Sequence, residues 1–319
     1  MRRIVCSEYG PPSLLQVVTS DDLVPRAGQV VVDIAAAGVN FVDALFVQGT
    51  YQIKIPPPFT PGSDFAGSVA AVGDGVAEWV VGDSVLGSGF GAYASQMAVG
   101  ATSLTRVPGN LQLDQAAALL QSYCTMWFAF TRRMTLQPGQ RVLVLGAGGG
   151  IGLAAVDVAC GLGATVIAAA SSEDKLEAAR AAGATETINY STEDLKARGK
   201  ELGVDVVVDP IGGELAEQAL RASGWMSTYI VIGFAAGPIP KFPVNLVLLN
   251  NRTVIGVDWG AWTGRDPGGQ QSLLADLVTA VSDGRLHPPM PSRRPLEDAS
   301  GVLQEALDRK LIGKTVLVP

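Results

Sequence analysis

The chain has 319 residues, a net charge of −7 and 48% hydrophobic residues, enough length for two domains, each with a sizeable core. It carries no basic run and no basic–aromatic stripe, which excludes nucleic acid as an expected partner, and no apolar run reaches the ~20 residues of a membrane-spanning helix. The opening MRRIVCSEYGPPS lacks the apolar core of a signal peptide. Cys6, Cys124 and Cys160 lie scattered among apolar neighbours, so the expectation is a cytoplasmic protein with reduced, buried thiols.

Taken in order, residues 2–106 read as short strands broken by Gly, Pro and Asp, over 2–9, 14–18, 30–36, 67–72 and 84–86. This pattern predicts a small, mostly antiparallel β domain. Two loops interrupt it, 38–49 and the proline-rich 51–62, and long loops in a compact domain are often functional. Residues 113–132 then read as a helix. From 141 the chain alternates: strands at 141–145, 165–170, 186–190, 204–209 and 229–232, and helices at 151–162, 173–182, 192–202 and 213–222. Residues 245–257 read as helix then strand at a sheet edge. The whole is an α/β fold, a doubly wound parallel sheet. The Gly-, Asp- and Pro-rich 260–270 reads as a hinge or boundary. Helices at 272–282 and 296–307 follow, and a strand at 315–318 returns to the β domain.

The chemistry starts at the first turn of the alternating region. After strand 141–145 comes Ala147-x-Gly149-x-x-Gly152, opening a helix and followed by another strand. Glycines let the chain turn sharply and a pyrophosphate approach the backbone, while the helix N-terminus offers free N–H groups and partial positive charge. This is a dinucleotide site. The second strand ends in Ala170-Ser171-Ser172, where an acid would bind a ribose 2′-hydroxyl and repel a 2′-phosphate. Ser171, Lys175 and Tyr190 offer a hydroxyl, an ammonium and a phenol to a phosphate, which favours NADP(H) over NAD(H). Glu173 and Asp174 speak against this choice unless they only complement the helix dipole.

A catalytic zinc needs about three Cys, His or acidic ligands. The chain has one histidine, His287, read as a surface loop residue, and its cysteines show no C-x-x-C spacing. No G-x-S-x-G elbow suggests nucleophilic catalysis. What remains is hydride transfer carried by the cofactor, for which the protein supplies an apolar slot and a few polar groups for the acceptor oxygen.

At these residues the chain resembles the zinc-free, quinone oxidoreductase (zeta-crystallin-like) branch of the medium-chain dehydrogenase/reductase superfamily. The resemblance is carried by AAAGVNFVDALFVQGTY (35–51), PGSDFAGSVAAVGDGVAEWVVGDSV (61–85), GAGGGIG (146–152), IGFAAG (232–237) and GKTVLVP (313–319). Asn40 stands where zinc-dependent relatives carry a metal-binding Cys, and Ser63-Asp64 where they carry His-Glu. The resemblance implies a GroES-like catalytic domain (1–122), a Rossmann NADP-binding domain (123–258) and a return to the catalytic domain (259–319), with the active site in the cleft and commonly a homodimer. It implies that Asn40 and Tyr51 line the substrate pocket, although Asn40 could equally hold its own loop and Tyr51 could be a packed aromatic. It places Thr125 at the nicotinamide amide and Gly149, Gly150 and Ile151 at the pyrophosphate. Ser171, Lys175 and Tyr190 fall at the 2′-phosphate, Phe234 at the nicotinamide ribose, and Arg309 within reach of the cofactor. The implied activity is metal-free reduction of a quinone or similar conjugated carbonyl by NADPH. The alternatives are reduction of an enone, 2-alkenal or enoyl-CoA, for which Lys54, Lys241 and Arg265 would supply basic groups, and a non-enzymatic NADPH-binding role.

Overall fold

The valine- and alanine-rich stretch 29–38 forms the longest strand of the first structural unit, and most other elements of that unit are ordered around it. A computed structural model describes residues 1–319 and resolves two units, Met1–Gln121 with Pro289–Pro319, and Ser122–Pro288. In the first unit the strands are β1 (Arg2–Val5), β2 (Gln16–Thr19), β3 (Gln29–Gly38), β4 (Asp64–Val72), β5 (Ser84–Ser88), β6 (Gln96–Gly100) and β7 (Leu104–Arg106). Strand β3 pairs antiparallel with β4 along one edge and with β6 along part of the other. Its Val30, Val32 and Ile34 pack with Ile4, Phe65 and Tyr93 in one core. The expected strands were shorter or longer than those formed, and β6 and β7 were not anticipated.

The predicted loop 38–49 is instead a helix, α1 (Phe41–Gln48). Asp43 accepts from the Asn40 backbone N–H at 2.9 Å, and Gly49 ends the helix at φ 66°, a left-handed conformation that glycine adopts without cost. The apolar positions of this short helix do not form one stripe, which hides it from a periodicity search. The predicted helix 113–132 is divided into α2 (Leu113–Ala117), α3 (Leu120–Phe128) and a π-helical turn at Ala129–Arg133. Gly38 lets α2 approach β3, since a Cβ there would lie 2.2 Å from the Ala117 carbonyl oxygen.

The second unit holds β8 (Arg141–Leu145), α4 (Gly150–Gly161), β9 (Thr165–Ala170), α5 (Glu173–Ala181), β10 (Glu186–Asn189), α6 (Leu195–Leu202) and β11 (Val204–Asp209). It continues through α7 (Gly213–Ala222), β12 (Ser223–Val231), α8 (Val244–Leu248) and β13 (Thr253–Gly256). All pairings are parallel in the order β10-β9-β8-β11-β12-β13, so chain order reverses between β8 and β11. Ligands bind such sheets at the carboxyl ends of the strands beside this switch point. The central strands β8, β9 and β11 are largely apolar runs because both faces are covered; Leu143, Ile167, Val207 and, on β12, Tyr229 are fully buried.

The predicted hinge 260–270 is helical, as α9 (Trp259–Arg265) and α10 (Pro267–Ser282). Asp258 caps the first by accepting from Ala261 N–H, and Asp266 caps the second from Gly269 N–H, with Pro267 at the first helical position. Trp262 stacks on Phe128 at 4.6 Å. The chain therefore returns to the first unit at Pro289, not at 259. There it forms β14 (Ser292–Pro295), α11 (Ala299–Leu307) and β15 (Thr315–Val318). Strand β15 pairs with β3 at Val316↔Gly38, and the Val39 N–H donates to Thr315 O at 2.9 Å.

His287 is exposed, and its backbone N–H donates to Asp157, which also accepts from the Tyr123 hydroxyl at 2.7 Å. Cys6 and Cys124 are buried, but Cys160 at the end of α4 is partly exposed, contrary to expectation; none forms a disulfide. No helix is long and apolar enough to cross a membrane. Leu143→Ala empties space at the middle of the parallel sheet. It should lower the unfolding free energy of the second unit by about 2–5 kcal/mol, read from urea midpoints with the circular dichroism spectrum unchanged.

Candidate active site

The glycine-rich turn between β8 and α4 separates two uses of glycine. A Cβ on Gly148 would lie 2.5 Å from the Cβ of Lys175, and one on Gly152 would lie 2.2 Å from the Gly146 carbonyl oxygen. Both glycines are required by the protein's own packing. Gly149 is different: its backbone is extended (φ −88°), and the nearest atom to a Cβ there is the Gly146 oxygen at 3.5 Å. Its bare face leaves room for a ligand against the start of α4, where the N–H groups of Gly150 and Ile151 have no partner within the helix. The donor set fits the pyrophosphate of a dinucleotide.

The same packing places Lys175, on the first turn of α5, directly beside this turn. Ser171 follows the last residue of β9, and its carbonyl accepts from the Ser191 hydroxyl at 2.9 Å. The Tyr190 N–H donates to Ala170 O at 3.1 Å. Ser171, Lys175 and Tyr190 are thus gathered around the end of one strand, all partly buried. Glu173 pairs with Arg180 at 2.6 Å, which offsets part of the conflict its charge presents in the sequence, while Asp174 is exposed. The acid at the end of β11, Asp209, is committed elsewhere: it accepts from Ile211 N–H, Gly212 N–H and the Tyr229 hydroxyl. Burial pushes its carboxyl above the ordinary range, against the lowering effect of those bonds. Phe234 is partly buried beside Gly212, and Thr125 is buried on α3.

Asn40, Tyr51 and Arg309 belong to the first unit. Arg309 is exposed just after α11 at φ 59°. Tyr51 is partly buried in an aromatic group, its ring 4.7 Å from Phe46, which in turn meets Phe90 at 4.8 Å. Lys54, Lys241 and Arg265 are exposed, and the Lys54 ammonium bonds to the Gly49 carbonyl.

Asn40 is 5% exposed and sits within a polar cluster. Its Nδ2 donates to Asp64 Oδ2 at 3.1 Å and to Ser63 Oγ at 3.4 Å, and its Oδ1 accepts from the Lys314 ammonium. Lys314 also donates to Val39 O at 2.8 Å, and Asp64 Oδ2 also accepts from Gln121 N–H at 2.9 Å. Asp43 Oδ2 accepts from the Tyr93 hydroxyl at 2.8 Å, while its buried Oδ1 has no partner. Burial pushes Asp43 up to about 7, against the lowering effects of its bonds from Asn40 and Tyr93 and of the Lys314 charge. A proton on the unpartnered oxygen relieves the cost of an ionised carboxylate there. Asp64 is pushed up and Lys314 down, each mainly by burial and each partly restored by the other's charge.

The cluster does not fit zinc. Nowhere in the chain are three or more His, Cys, Asp or Glu side chains gathered to hold a metal. Around Asn40 an ammonium stands among the acids. Asp43, Asp64, Tyr93 and Lys314 were not singled out as a group from sequence, although Asn40-x-x-Asp43 is a legible capping pattern.

The raised Asp43 makes stability pH-dependent. Between its ordinary 3.8 and about 7 the folded state keeps a proton that the unfolded chain has released. This contribution is complete below about pH 4 and is lost as pH rises through 7, with a slope of at most about 1.4 kcal/mol per pH unit. Asp43→Asn should flatten the fall of the urea midpoint across that window; an unchanged slope would show that Asp43 is already ionised in the folded protein.

Two family models match the chain: an alcohol dehydrogenase GroES-like domain over residues 26–130 and a zinc-binding dehydrogenase domain over 150–271. Quinone oxidoreductase-like protein 2 of Rattus norvegicus is 37% identical, over 99% of this chain and 91% of its own length. The Escherichia coli quinone oxidoreductase solved with NADPH superposes with a TM-score of 0.88 at 27% identity, covering 100% of both chains. The CurK enoyl reductase superposes at 0.87 with 26% identity, covering 99% of this chain and 98% of its own. With a parallel sheet ordered around a glycine turn in one unit and a GroES-like β unit beside it in sequence, the chain belongs to the quinone oxidoreductase-like medium-chain dehydrogenases/reductases, a family of oxidoreductases.

Proposed function

We propose that the protein is an NADPH-dependent reductase that delivers hydride to a quinone or similarly conjugated carbonyl without a metal ion. The observation that carries this reading is Lys175 packed against Gly148, with Ser171 and Tyr190 at the same strand end and the nearby acid Glu173 drawn off by Arg180. An ammonium with a hydroxyl and a phenol suits a 2′-phosphate. The E. coli relative's complex with NADPH supports the same choice.

When bound, NADPH supplies a hydride from the nicotinamide C4. The chain's residues bind and orient. Gly149 would leave space for the pyrophosphate, to which the Gly150 and Ile151 amides would donate. Phe234 would flank the nicotinamide ribose, and Thr125 would hold the nicotinamide amide. Arg309 would supply a cofactor contact from the C-terminal segment. The Tyr51 hydroxyl donates to the acceptor oxygen as negative charge develops there. Asn40 assists, since its bond to Ser63 at 3.4 Å is longer than a normal hydrogen bond and that N–H can be given to an acceptor. Solvent completes protonation. The likeness to an enoyl reductase favours an α,β-unsaturated thioester or enone as the second class of acceptor.

The partner is a second copy. Strand β13 is an open edge of its sheet with Thr253, Val254 and Gly256 exposed, and the same unit exposes Trp225, Met226, Leu248 and Leu249. Two such edges related by a two-fold axis would pair into one continuous sheet. Cysteines that form no disulfide agree with a reducing compartment such as the cytoplasm.

Steady-state oxidation of NADPH against panels of quinones, enones and enoyl thioesters tests the activity. Turnover with at least one conjugated acceptor, insensitive to chelators, is expected; tight NADPH binding without turnover on any acceptor would overturn the enzymatic reading. Lys175→Ala should raise the KM for NADPH by about 10-fold or more while leaving that for NADH nearly unchanged, and equal effects would refute the 2′-phosphate assignment. Light scattering should give a dimer that Val254→Lys dissociates; a monomer at micromolar concentration would exclude the edge-paired assembly.

A further inference from the structure

The Asn40 carboxamide has two chemically distinct ends, and its surroundings accept only one orientation. Its oxygen faces the Lys314 ammonium, and its NH2 faces the Asp64 carboxylate and the Ser63 hydroxyl. Rotated by half a turn, the amide would set N–H against ammonium and oxygen against carboxylate, two repulsions in place of two charge-assisted bonds. Lys314 is itself fixed by sheet register. It immediately precedes β15, whose Val316 pairs with Gly38, and it donates to Val39 O at 2.8 Å. A residue 274 positions away in the chain is thereby held against Asn40.

Replacing Lys314 alone by an apolar side chain leaves the buried Asp64 and Asp43 without their counter-ion, so the cation has a structural part. What it adds besides is direction and polarisation. An ammonium on the amide oxygen draws electron density from the nitrogen and strengthens the N–H groups as donors. The titratable groups facing it are Asp64 and Asp43, with Tyr93 behind Asp43.

We propose that Lys314 is a positioning residue for the reduction, acting through Asn40: its ammonium fixes and polarises the Asn40 carboxamide so that an N–H is presented to the acceptor oxygen. This rests on the reading of the protein as a conjugated-carbonyl reductase. Lys314 forms and breaks no bond in the reaction, and no metal is needed to organise the loop that carries Asn40.

The test compares the unsubstituted protein with Lys314→Met, Lys314→Arg, Asn40→Ala and the double variant Asn40→Ala/Lys314→Met, using NADPH and 1,4-benzoquinone. Lys314→Met should lower kcat by about 10-fold or more with NADPH affinity, measured by its fluorescence, unchanged. Lys314→Arg should restore kcat to within about threefold of wild type, because a guanidinium keeps the positive charge and offers an N–H to the Asn40 oxygen, although in a larger planar group. In the Asn40→Ala background, Lys314→Met should cost nothing further. Removing the positive neighbour should also raise the Asp43 carboxyl midpoint, followed by carbon NMR, by about half a pH unit or more. The proposal is overturned by a kcat within twofold of wild type in Lys314→Met, by losses that multiply in the double variant, or by no rescue in Lys314→Arg. Wild-type protein without turnover on any acceptor removes the reductase reading and this inference together, whereas turnover indifferent to Lys314 removes this inference alone.

Discussion

Two carboxylates almost wholly withdrawn from water, Asp43 and Asp64, share one ammonium, and the first unit is arranged to make that tolerable. Burying like charges together is costly unless hydrogen bonds or protons compensate. Here each acid has its own remedy. Asp64 receives an amide from Asn40, a backbone N–H from Gln121 and the field of Lys314. Asp43 receives the Asn40 N–H and the Tyr93 hydroxyl, and is raised into the range where it keeps a proton below about 7. These remedies come from four separate segments of the unit. Their convergence ties the capping of α1, the register of β15 against β3 and the orientation of Asn40 into one arrangement.

The second unit solves a different problem, the approach of a large anion to backbone. Its glycines divide the work. Gly148 and Gly152 let Lys175 and the loop carbonyl come close, while Gly149 keeps an empty face at the start of α4. A negatively charged protein can thus hold a multiply charged cofactor, because the local donors and not the net charge decide the binding.

This division explains what was legible in the sequence. The β8–α4–β9 region is visible because strand, glycine turn, helix and strand are local in sequence and each has its own pattern; β9 and β11 form over the residues their apolar runs indicate. The absence of an acid after Ala170 was equally plain. The helix α1 was hidden because apolar residues occupy it on every side and its signal lies only in its ends, Asn40 with Asp43 and Gly49. Residues 260–270 misled because Gly, Asp and Pro also serve as caps and first-turn residues, as Asp258, Asp266 and Pro267 do. The polar cluster was out of reach for another reason. Nothing in a local pattern reports that Lys314 meets Asn40, since only the pairing of β15 with β3 brings them together.

That pairing has a consequence for how the chain comes to be assembled. The second unit is one uninterrupted segment, so its sheet can close as soon as residue 288 has been made. The first unit cannot. Its longest strand waits for an edge partner translated after the whole of the second unit, and until that partner docks, two sequestered acids lack their counter-ion. The order of synthesis therefore makes the cofactor-type fold the earlier scaffold, with the ammonium arriving only after it.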